Sequence, residues 1–295
     1  MRFVPIAAGL VFASVAVSPT ASARSVRFTD RAMATSATRN IAYADAPDLL
    51  TGKLVPNRLD LIRPRARSQN RPALVLIHGG GFRAGSKDSE HIQRAATEWA
   101  QRGYVTAVID YRLDPDSKCV EVLQGHVAAE HIDVEWARCF DAALAARHDA
   151  QAAVRFLRAN ASRFGLDPER IGALGFSAGA ITVTGLAYES EDPGDLGDHL
   201  GESSRIAFGL AVSGCSWAPS AIGPGDAAVS FVTSELDRLI SLDCVESTAA
   251  AAEAAGDAVQ RVYMPGDTGH ADDLYRAYQP RIDAAWLDFI KRTAA

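Results

Sequence analysis

A single serine stands between two glycines in the stretch GFSAG, residues 175–179, and its setting is the first in the chain that suggests chemistry. Ser177 follows an apolar run, residues 171–176, and precedes small residues that can begin a helix. A serine at such a strand-to-helix junction lies on a tight turn, and glycines two positions to either side let neighbouring backbone approach closely. A serine that only caps the helix would not require both glycines. The pattern therefore favours Ser177 as a nucleophile.

Three consecutive glycines follow another apolar run, residues 73–77, in the stretch HGGGF. The tetrahedral intermediate of acyl transfer carries an oxyanion, and backbone N–H groups in a loop without side chains are well suited to stabilise it. We expect two such donors from Gly80 and Gly81, and a third from Ala178, directly after the serine. A phosphate-binding loop is the alternative, but no G-K-[ST] sequence follows. His78 is expected to be structural rather than a base.

A base and an acid follow later in the chain. His270 comes after the last predicted strand and before the final helix. Asp237 lies just beyond the predicted strand 228–234, with Glu235 and Asp243 as competing carboxylates. In the order serine, acid, histidine, the histidine takes the proton of the serine, and the acid holds the imidazole in the right tautomer. We expect the remaining histidines to lie on the surface: His91, His126, His131, His148 and His199.

These residues need a scaffold that brings the ends of separate strands together. Apolar runs typical of buried strands alternate with helical patterns along the chain, which predicts a mostly parallel sheet with helices on both faces. In such sheets the working residues lie at the carboxyl ends of the strands. The predicted strands are residues 59–64, 73–77, 104–113, 171–176, 206–213, 228–234 and 259–264, and the helices 88–102, 141–163, 178–188, 245–255 and 272–292.

The amino-terminal segment predicts export. Arg2 precedes an apolar run from Phe3 to Val17, and a cleavage pattern of the A-x-A type ends at Ala23. A membrane anchor is the rival interpretation, but the run is short for a span. We therefore expect a signal peptide over residues 1–23, a secreted or periplasmic protein, and one domain over residues 24–295.

The cysteine count fits an exported protein. An even number of cysteines in an oxidising compartment favours disulfides, and of the three possible pairings we prefer Cys119 with Cys139 and Cys215 with Cys244. The first pair would staple an insertion, residues 114–140, that borders the site as a loop. No C-x-x-C motif is present, so we expect no metal and no other cofactor.

The charge pattern disfavours two classes of binding partner. The formal net charge is −6, and no block of lysines and arginines occurs, which disfavours binding to nucleic acid or to an anionic membrane. A small-molecule ester is the expected partner. No feature of the sequence indicates an oligomeric state.

The chain resembles the α/β-hydrolases of the H-G-G-G esterase and lipase group, the hormone-sensitive-lipase-like and acetyl-esterase-like enzymes. The resemblance covers residues 55–290 and rests on HGGGF, DYRL, FGLDPERI, GFSAGA, Asp237 and His270 in this order. It implies Ser177, Asp237 and His270 as a catalytic triad. It also implies that the three N–H donors named above form the oxyanion hole, and that the activity is carboxylic ester hydrolysis without a cofactor.

Several features depart from that group. The stretch GFSAGA replaces the usual G-D-S-A-G-G, and DYRLDPDSKC replaces D-Y-R-L-A-P-E. The chain between the predicted strands 206–213 and 228–234 is too short for a lid domain, so we expect an open site that takes short acyl or aryl esters. The alternatives are an esterase on acetylated polysaccharide or polyester, a peptidase or amidase with the same triad, and a non-catalytic binding protein.

Overall fold

The computed structural model describes residues 32–66, 68–189, 194 and 196–294. The predicted signal peptide, residues 1–23, lies outside these residues. In the described part of the chain, no helix is both long enough and apolar enough to cross a membrane.

A single eight-stranded sheet organises the molecule. Its strands are β1 Thr35–Pro47, β2 Leu54–Pro64, β3 Arg71–Ile77, β4 Val105–Ile109, β5 Leu166–Phe176, β6 Phe208–Val212, β7 Ala228–Ser234 and β8 Val259–Met264. They lie in the order β1-β2-β4-β3-β5-β6-β7-β8. The pairs β1–β2 and β2–β4 are antiparallel, and all other neighbours are parallel. The carboxyl ends of β3 to β8 therefore meet along one edge of the sheet.

Helices cover both faces of the sheet. They are α1 Glu90–Gln101, α2 Cys119–Leu123, α3 Ile132–Ala159, α4 Ala161–Phe164, α5 Ala178–Tyr188, α6 Leu242–Ala255 and α7 Ala271–Thr293. On one face, α3, α5 and α6 pack on side chains such as Val75 and Ala173. On the other face, Trp99 of α1 and Trp286 of α7 pack on side chains such as Leu74. Because both faces are buried, the central strands are continuously apolar, which is why the sequence reveals them.

Most of the predicted elements are present in the structure, but two regions differ. No element was predicted before residue 59, whereas β1 pairs with β2 at the edge of the sheet. Most side chains in the first half of β1 are exposed, so no apolar pattern marks the strand. The second difference is that α3 begins at Ile132, nine residues earlier than residue 141, the predicted start.

The insertion over residues 114–140 was expected to be a loop, and this expectation is wrong. Its chain forms α2 and the first turns of α3. Between residues 132 and 140 only Cys139 is buried, so the helix lacks the apolar stripe that would have revealed it. The segment is therefore largely helical rather than an irregular loop.

Two disulfides join segments near the carboxyl edge of the sheet. Cys119–Cys139 links α2 to α3 across 20 residues of sequence. Cys215–Cys244 links the segment after β6 to the first turn of α6 across 29 residues. These are the two pairings that we preferred from the sequence.

Candidate active site

Ser177 lies on the turn between β5 and α5, with φ 53° and ψ −120°. A positive φ is costly for a residue with a Cβ, so the surrounding structure must hold it there. The N–H of Ser177 donates to the carbonyl oxygen of Val212 at 2.9 Å. Its own carbonyl accepts from the N–H groups of Ala180 and Ile181 at 2.8 and 3.0 Å. The turn therefore presents the serine hydroxyl above the edge of the sheet.

The two glycines that flank Ser177 are required by close backbone contacts. A Cβ on Gly175 would overlap the carbonyl oxygen of Gly179. A Cβ on Gly179 would overlap the carbonyl oxygen of Ile77 and lie 2.7 Å from that of His78. All of these neighbours are backbone atoms of α5, of β3 or of the turn after β3, so they cannot move aside as a flexible side chain could.

His270 follows β8 and stands directly before α7. Its Nε2 lies 2.8 Å from Oγ of Ser177, and its Nδ1 lies 2.7 Å from Oδ2 of Asp237. The chain beside it is fixed, because the N–H of Ala271 donates to Oγ of Ser213 at 2.9 Å. Three side chains from three separate strand ends thus form one continuous line of hydrogen bonds.

Asp237 is the buried end of this line. Its side chain is fully buried, whereas that of His270 is 24% exposed. Oδ1 accepts hydrogen bonds from the N–H groups of Leu239 and Ile240 at 2.9 and 3.1 Å. Burial alone would raise the pKa of Asp237, but the hydrogen bond and charge of His270, with the two N–H donors, hold that pKa below its ordinary value. The carboxylate therefore stays ionised and fixes the histidine as the Nδ1–H tautomer.

The competing carboxylates have other surroundings. Glu235 accepts a hydrogen bond from the N–H of Gly266 at 2.7 Å. Asp243 lies in the first turn of α6. Neither makes a hydrogen bond to His270, so of the three acids considered from the sequence the structure brings only Asp237 to the histidine.

The glycine loop after β3 adopts backbone conformations with positive φ, which glycine allows at little cost. Gly80 and Gly81 have φ values of 120° and 61°, and the carbonyl oxygen of Gly80 accepts from the N–H groups of Arg83 and Ala84. Within the residues that the structure describes, the N–H groups of Gly80, Gly81 and Ala178 donate to no protein acceptor. The loop thus leaves two N–H groups beside that of the residue after Ser177, the arrangement needed to bind an oxyanion.

His78 holds this loop in place, as expected for a structural residue. Its Nδ1–H donates to the carbonyl oxygen of Gly79 at 2.7 Å, and its ring stacks on Tyr111 at 4.3 Å between centroids. The hydroxyl of Tyr111 donates to the carbonyl oxygen of His78 at 2.9 Å. Burial lowers the pKa of His78, so the neutral ring is the form that the loop contains.

A family model named BD-FAE matches residues 59–209, which is half of the chain and includes the glycine loop and Ser177. The chain belongs to the BD-FAE family. Among solved structures, native esterase 2 of Thermogutta terrifontis, described as a thermophilic esterase, superposes with a TM-score of 0.66 at 18% identity, over 85% of this chain and 91% of that one. Its paraoxon-phosphorylated form superposes with a TM-score of 0.65 at 19% identity, over 86% and 94% of the two chains. The α/β-hydrolase fold predicted from the sequence is confirmed.

The matches to curated relatives cover only part of this chain and of each relative. Gut esterase 1 of Caenorhabditis elegans is 32% identical over 43% of this chain and 20% of its own length. Secreted lipase 5 of Gibberella zeae is 30% identical over 54% and 29% of the two proteins. Chlorogenic acid esterase of Aspergillus niger is 30% identical over 52% and 27%. The matches thus span less than a third of the length of these relatives.

Two hollows of unequal size open beside Ser177 in this BD-FAE chain. The inner hollow has a volume of about 20 Å³ and is lined by Ser177, Ala178 and mostly apolar side chains, among them Cys119, Val120, Leu123, Ile181, Trp217 and Leu239. The trough has a volume of about 590 Å³ and contains His270 together with the polar side chains of Arg83, Ser89, His91, Asp272 and Asp273. The surroundings of the serine are therefore small and apolar on one side, and on the other side large and lined by both polar and apolar groups.

Several lining residues were missed from the sequence. His91 is exposed as expected, but it lines the trough and its Nε2 lies 3.6 Å from Oδ2 of Asp272. Burial raises the pKa of Asp272, and the charge of His91 does not cancel this effect. His148 was expected on the surface, and this prediction is wrong because its side chain is buried. Trp217 belongs to no recognisable motif, so the sequence gives no reason to place it at the site. An aromatic residue after a strand is usually part of the hydrophobic core.

Gly179→Ala is expected to lower the free energy of unfolding by about 3 kcal/mol, because the new Cβ has only backbone atoms to displace. Gly185→Ala in the same helix is the matched control, since its Cβ would meet only the side chain of Arg147. Urea denaturation followed by tryptophan fluorescence measures both. Equal losses in the two variants would contradict the close approach at Gly179.

Proposed function

We propose that this BD-FAE chain is a secreted serine carboxylesterase that hydrolyses esters of short acyl groups, acetyl esters above all. The observation that carries the proposal is the line of hydrogen bonds from Asp237 through His270 to Ser177. It ends beside three N–H groups that no protein acceptor occupies among the described residues. A nucleophile, a base, an orienting acid and an oxyanion site are the parts that acyl transfer needs.

The proposed reaction follows from these positions. Nε2 of His270 takes the proton from Oγ of Ser177 as the oxygen attacks the ester carbonyl carbon. The resulting oxyanion accepts hydrogen bonds from the N–H groups of Gly80, Gly81 and Ala178. His270 then gives its proton to the leaving alcohol oxygen, and an acyl-enzyme remains on Ser177. Water, deprotonated by the same nitrogen, attacks the acyl carbonyl carbon. The bond between this carbon and Oγ then breaks as His270 returns the proton to Oγ, which releases the acid and restores Ser177.

The position of His270 assigns the two hollows to the two halves of the ester. The alcohol oxygen must lie within reach of Nε2 when the bond breaks, so the alcohol occupies the side that contains His270, which is the trough. The acyl group points to the other side, into the inner hollow. A cavity of about 20 Å³ holds about one water-sized group, which matches the methyl of an acetyl group.

The size and polarity of the trough favour one of the alternatives that the sequence left open. A volume of about 590 Å³ with His91, Arg83 and Asp272 on its walls suits a large hydroxylated alcohol better than a small apolar one. An acetylated polysaccharide has this chemistry. We therefore propose acetylated carbohydrate as the substrate class, to be tested by acetate release from acetylated xylan.

Secretion is part of the proposal and is supported by two features. Residues 1–23 have the pattern of a signal peptide. All four cysteines are paired in disulfides, which persist in oxidising compartments.

Ser177→Ala is expected to lower kcat for p-nitrophenyl acetate by about 10⁴ or more, because it removes the nucleophile. A fluorophosphonate probe should label the wild-type chain at Ser177 and leave the variant unlabelled. Ser241→Ala is a matched control, since Ser241 only caps α6 by accepting a hydrogen bond from the N–H of Cys244. It should lose about 1 kcal/mol of stability and keep its activity. An unlabelled, inactive wild-type chain would favour a binding protein instead.

Asp237→Asn is expected to lower kcat by about 10⁴, because an amide at this position no longer stabilises the imidazolium. Glu235→Gln is the control, since the side chain of Glu235 contacts the N–H of Gly266 and not His270. Its kcat should stay within about twofold of the wild-type value. Steady-state kinetics on p-nitrophenyl acetate measures both. A large loss of kcat in Glu235→Gln with none in Asp237→Asn would contradict Asp237 as the acid.

Acyl-chain preference follows from the volume of the inner hollow. We expect kcat/KM to fall from the acetyl to the butyryl ester and to be lower by about tenfold or more for the octanoyl ester, because the longer chain has no cavity to enter. A series of p-nitrophenyl esters from acetyl to decanoyl measures this preference. A maximum at octanoyl or beyond would contradict the assignment of the inner hollow to the acyl group.

A further inference from the structure

A third cavity, the outer hollow, lies beyond one wall of the inner hollow. Its volume is about 220 Å³, roughly ten times that of the inner hollow. Phe140, Leu144, Ile181 and Trp217 contribute apolar surface to it, and Thr182 and Arg147 contribute polar groups. It contains neither Ser177 nor His270, so the proposed reaction does not use it.

The partition between the inner and outer hollows consists of two side chains. Among the described residues, Ile181 and Trp217 are the ones that line both cavities. Ile181 is buried in the first turns of α5, where its N–H donates to the carbonyl oxygen of Ser177. Trp217 is half-buried and lies in the segment between β6 and β7, outside any helix or strand. Trp217 is therefore the larger half of the wall.

The chain around Trp217 is anchored on both sides of the residue. The N–H of Ser216 donates to Oγ1 of Thr248 at 3.0 Å, and this bond is buried. Oγ of Ser216 accepts from the N–H of Ala218 at 3.1 Å. Two residues before the tryptophan, Cys215 is joined to α6 by its disulfide. These contacts fix where the indole ring can lie.

Aromatic contacts then fix the ring itself. Its centroid lies 5.8 Å from that of Phe82, 5.9 Å from that of Trp136 and 5.3 Å from that of Phe140. The interplanar angles are 70°, 87° and 81°, the edge-to-face arrangement that aromatic pairs prefer. Phe82 belongs to the inner hollow and Phe140 to the outer one, so the indole is held from both sides in the position of a partition.

We infer that Trp217 is the residue that limits acyl-chain length, because its indole ring closes the inner hollow off from an apolar cavity that would otherwise receive a longer chain. The inference rests on the proposed function, in which the acyl group enters the inner hollow. Removing the ring connects the two hollows and leaves Ser177, His270 and the oxyanion donors untouched, since none of them contacts the outer hollow.

Trp217→Ala is expected to move the maximum of kcat/KM along the p-nitrophenyl ester series from acetyl to a chain of six or more carbons. Each methylene buried in the outer hollow should raise kcat/KM by about fourfold, so burial of about three to four of the six methylenes that octanoyl adds to acetyl should raise the ratio of octanoyl to acetyl activity by about a hundredfold. Hydrolysis of the acetyl ester should fall by about threefold to tenfold, because the methyl loses one wall. Trp217→Phe keeps part of the partition and should give an intermediate profile.

A second variant that opens the same wall makes the test independent of how well Trp217→Ala folds. Ile181→Val removes one methylene from the other half of the partition and should shift the ratio of octanoyl to acetyl activity in the same direction by about twofold to fourfold. Leu144→Ala is the control, since Leu144 lines the outer hollow but not the inner one and its loss should leave the wild-type chain profile unchanged.

The outcomes separate this inference from the proposed function. If the wild-type chain hydrolyses the acetyl ester and labels at Ser177, but Trp217→Ala and Ile181→Val keep its chain profile, the partition is overturned and the proposed function stands. If the wild-type chain has no esterase activity and no label, the proposed function fails first. A shift in both wall variants and none in Leu144→Ala supports the partition.

Discussion

The close approach of α5 to the end of β3 is the constraint on which the rest of the site depends. It is possible only because Gly179 has no side chain where the carbonyl oxygens of Ile77 and His78 lie. The helix can then begin directly over the sheet, and the serine before it is held at a φ of 53°. The same approach brings the glycine loop that follows β3 beside Ser177. A side chain at Gly179 would push α5 away from the end of β3 and so separate Ser177 from the glycine loop.

The remaining members of the site are positioned by sheet topology. Parallel strands place their carboxyl ends at one edge, so residues that follow β3, β5, β7 and β8 meet there although up to 190 positions separate them in sequence. Ser177 follows β5, Asp237 follows β7 and His270 follows β8, so all three leave the same edge of the sheet. The N–H groups of Leu239 and Ile240 hold the carboxylate of Asp237 by hydrogen bonds. The strand order thus brings the three side chains to one edge, and the hydrogen bonds of His270 to Ser177 and Asp237 place the histidine between the other two.

Much of this could be predicted from the sequence, for a physical reason. Strands buried on both faces must be apolar throughout, and turns with a close backbone approach must contain glycine, so the central sheet and the two glycine-bearing loops are visible as patterns. The edge strand β1 and the start of α3 are half-exposed, so they lack such a pattern and were missed. His148 lies in a long alanine-rich helix, where the neighbours that bury it come from other parts of the chain.

The walls of the site could not be predicted, because each is assembled from several short segments. The inner hollow takes Cys119 from α2, Ile181 from α5, Trp217 from the segment after β6 and Leu239 from the segment after β7. Within the part of the chain that the structure describes, no lid domain covers these segments, so each needs its own anchor against the sheet. Both disulfides lie here, one within the wall itself at Cys119 and one at Cys215, two residues before Trp217. Since a cross-link lowers the conformational entropy of the unfolded chain, the two disulfides stabilise the segments that carry Cys119 and Trp217.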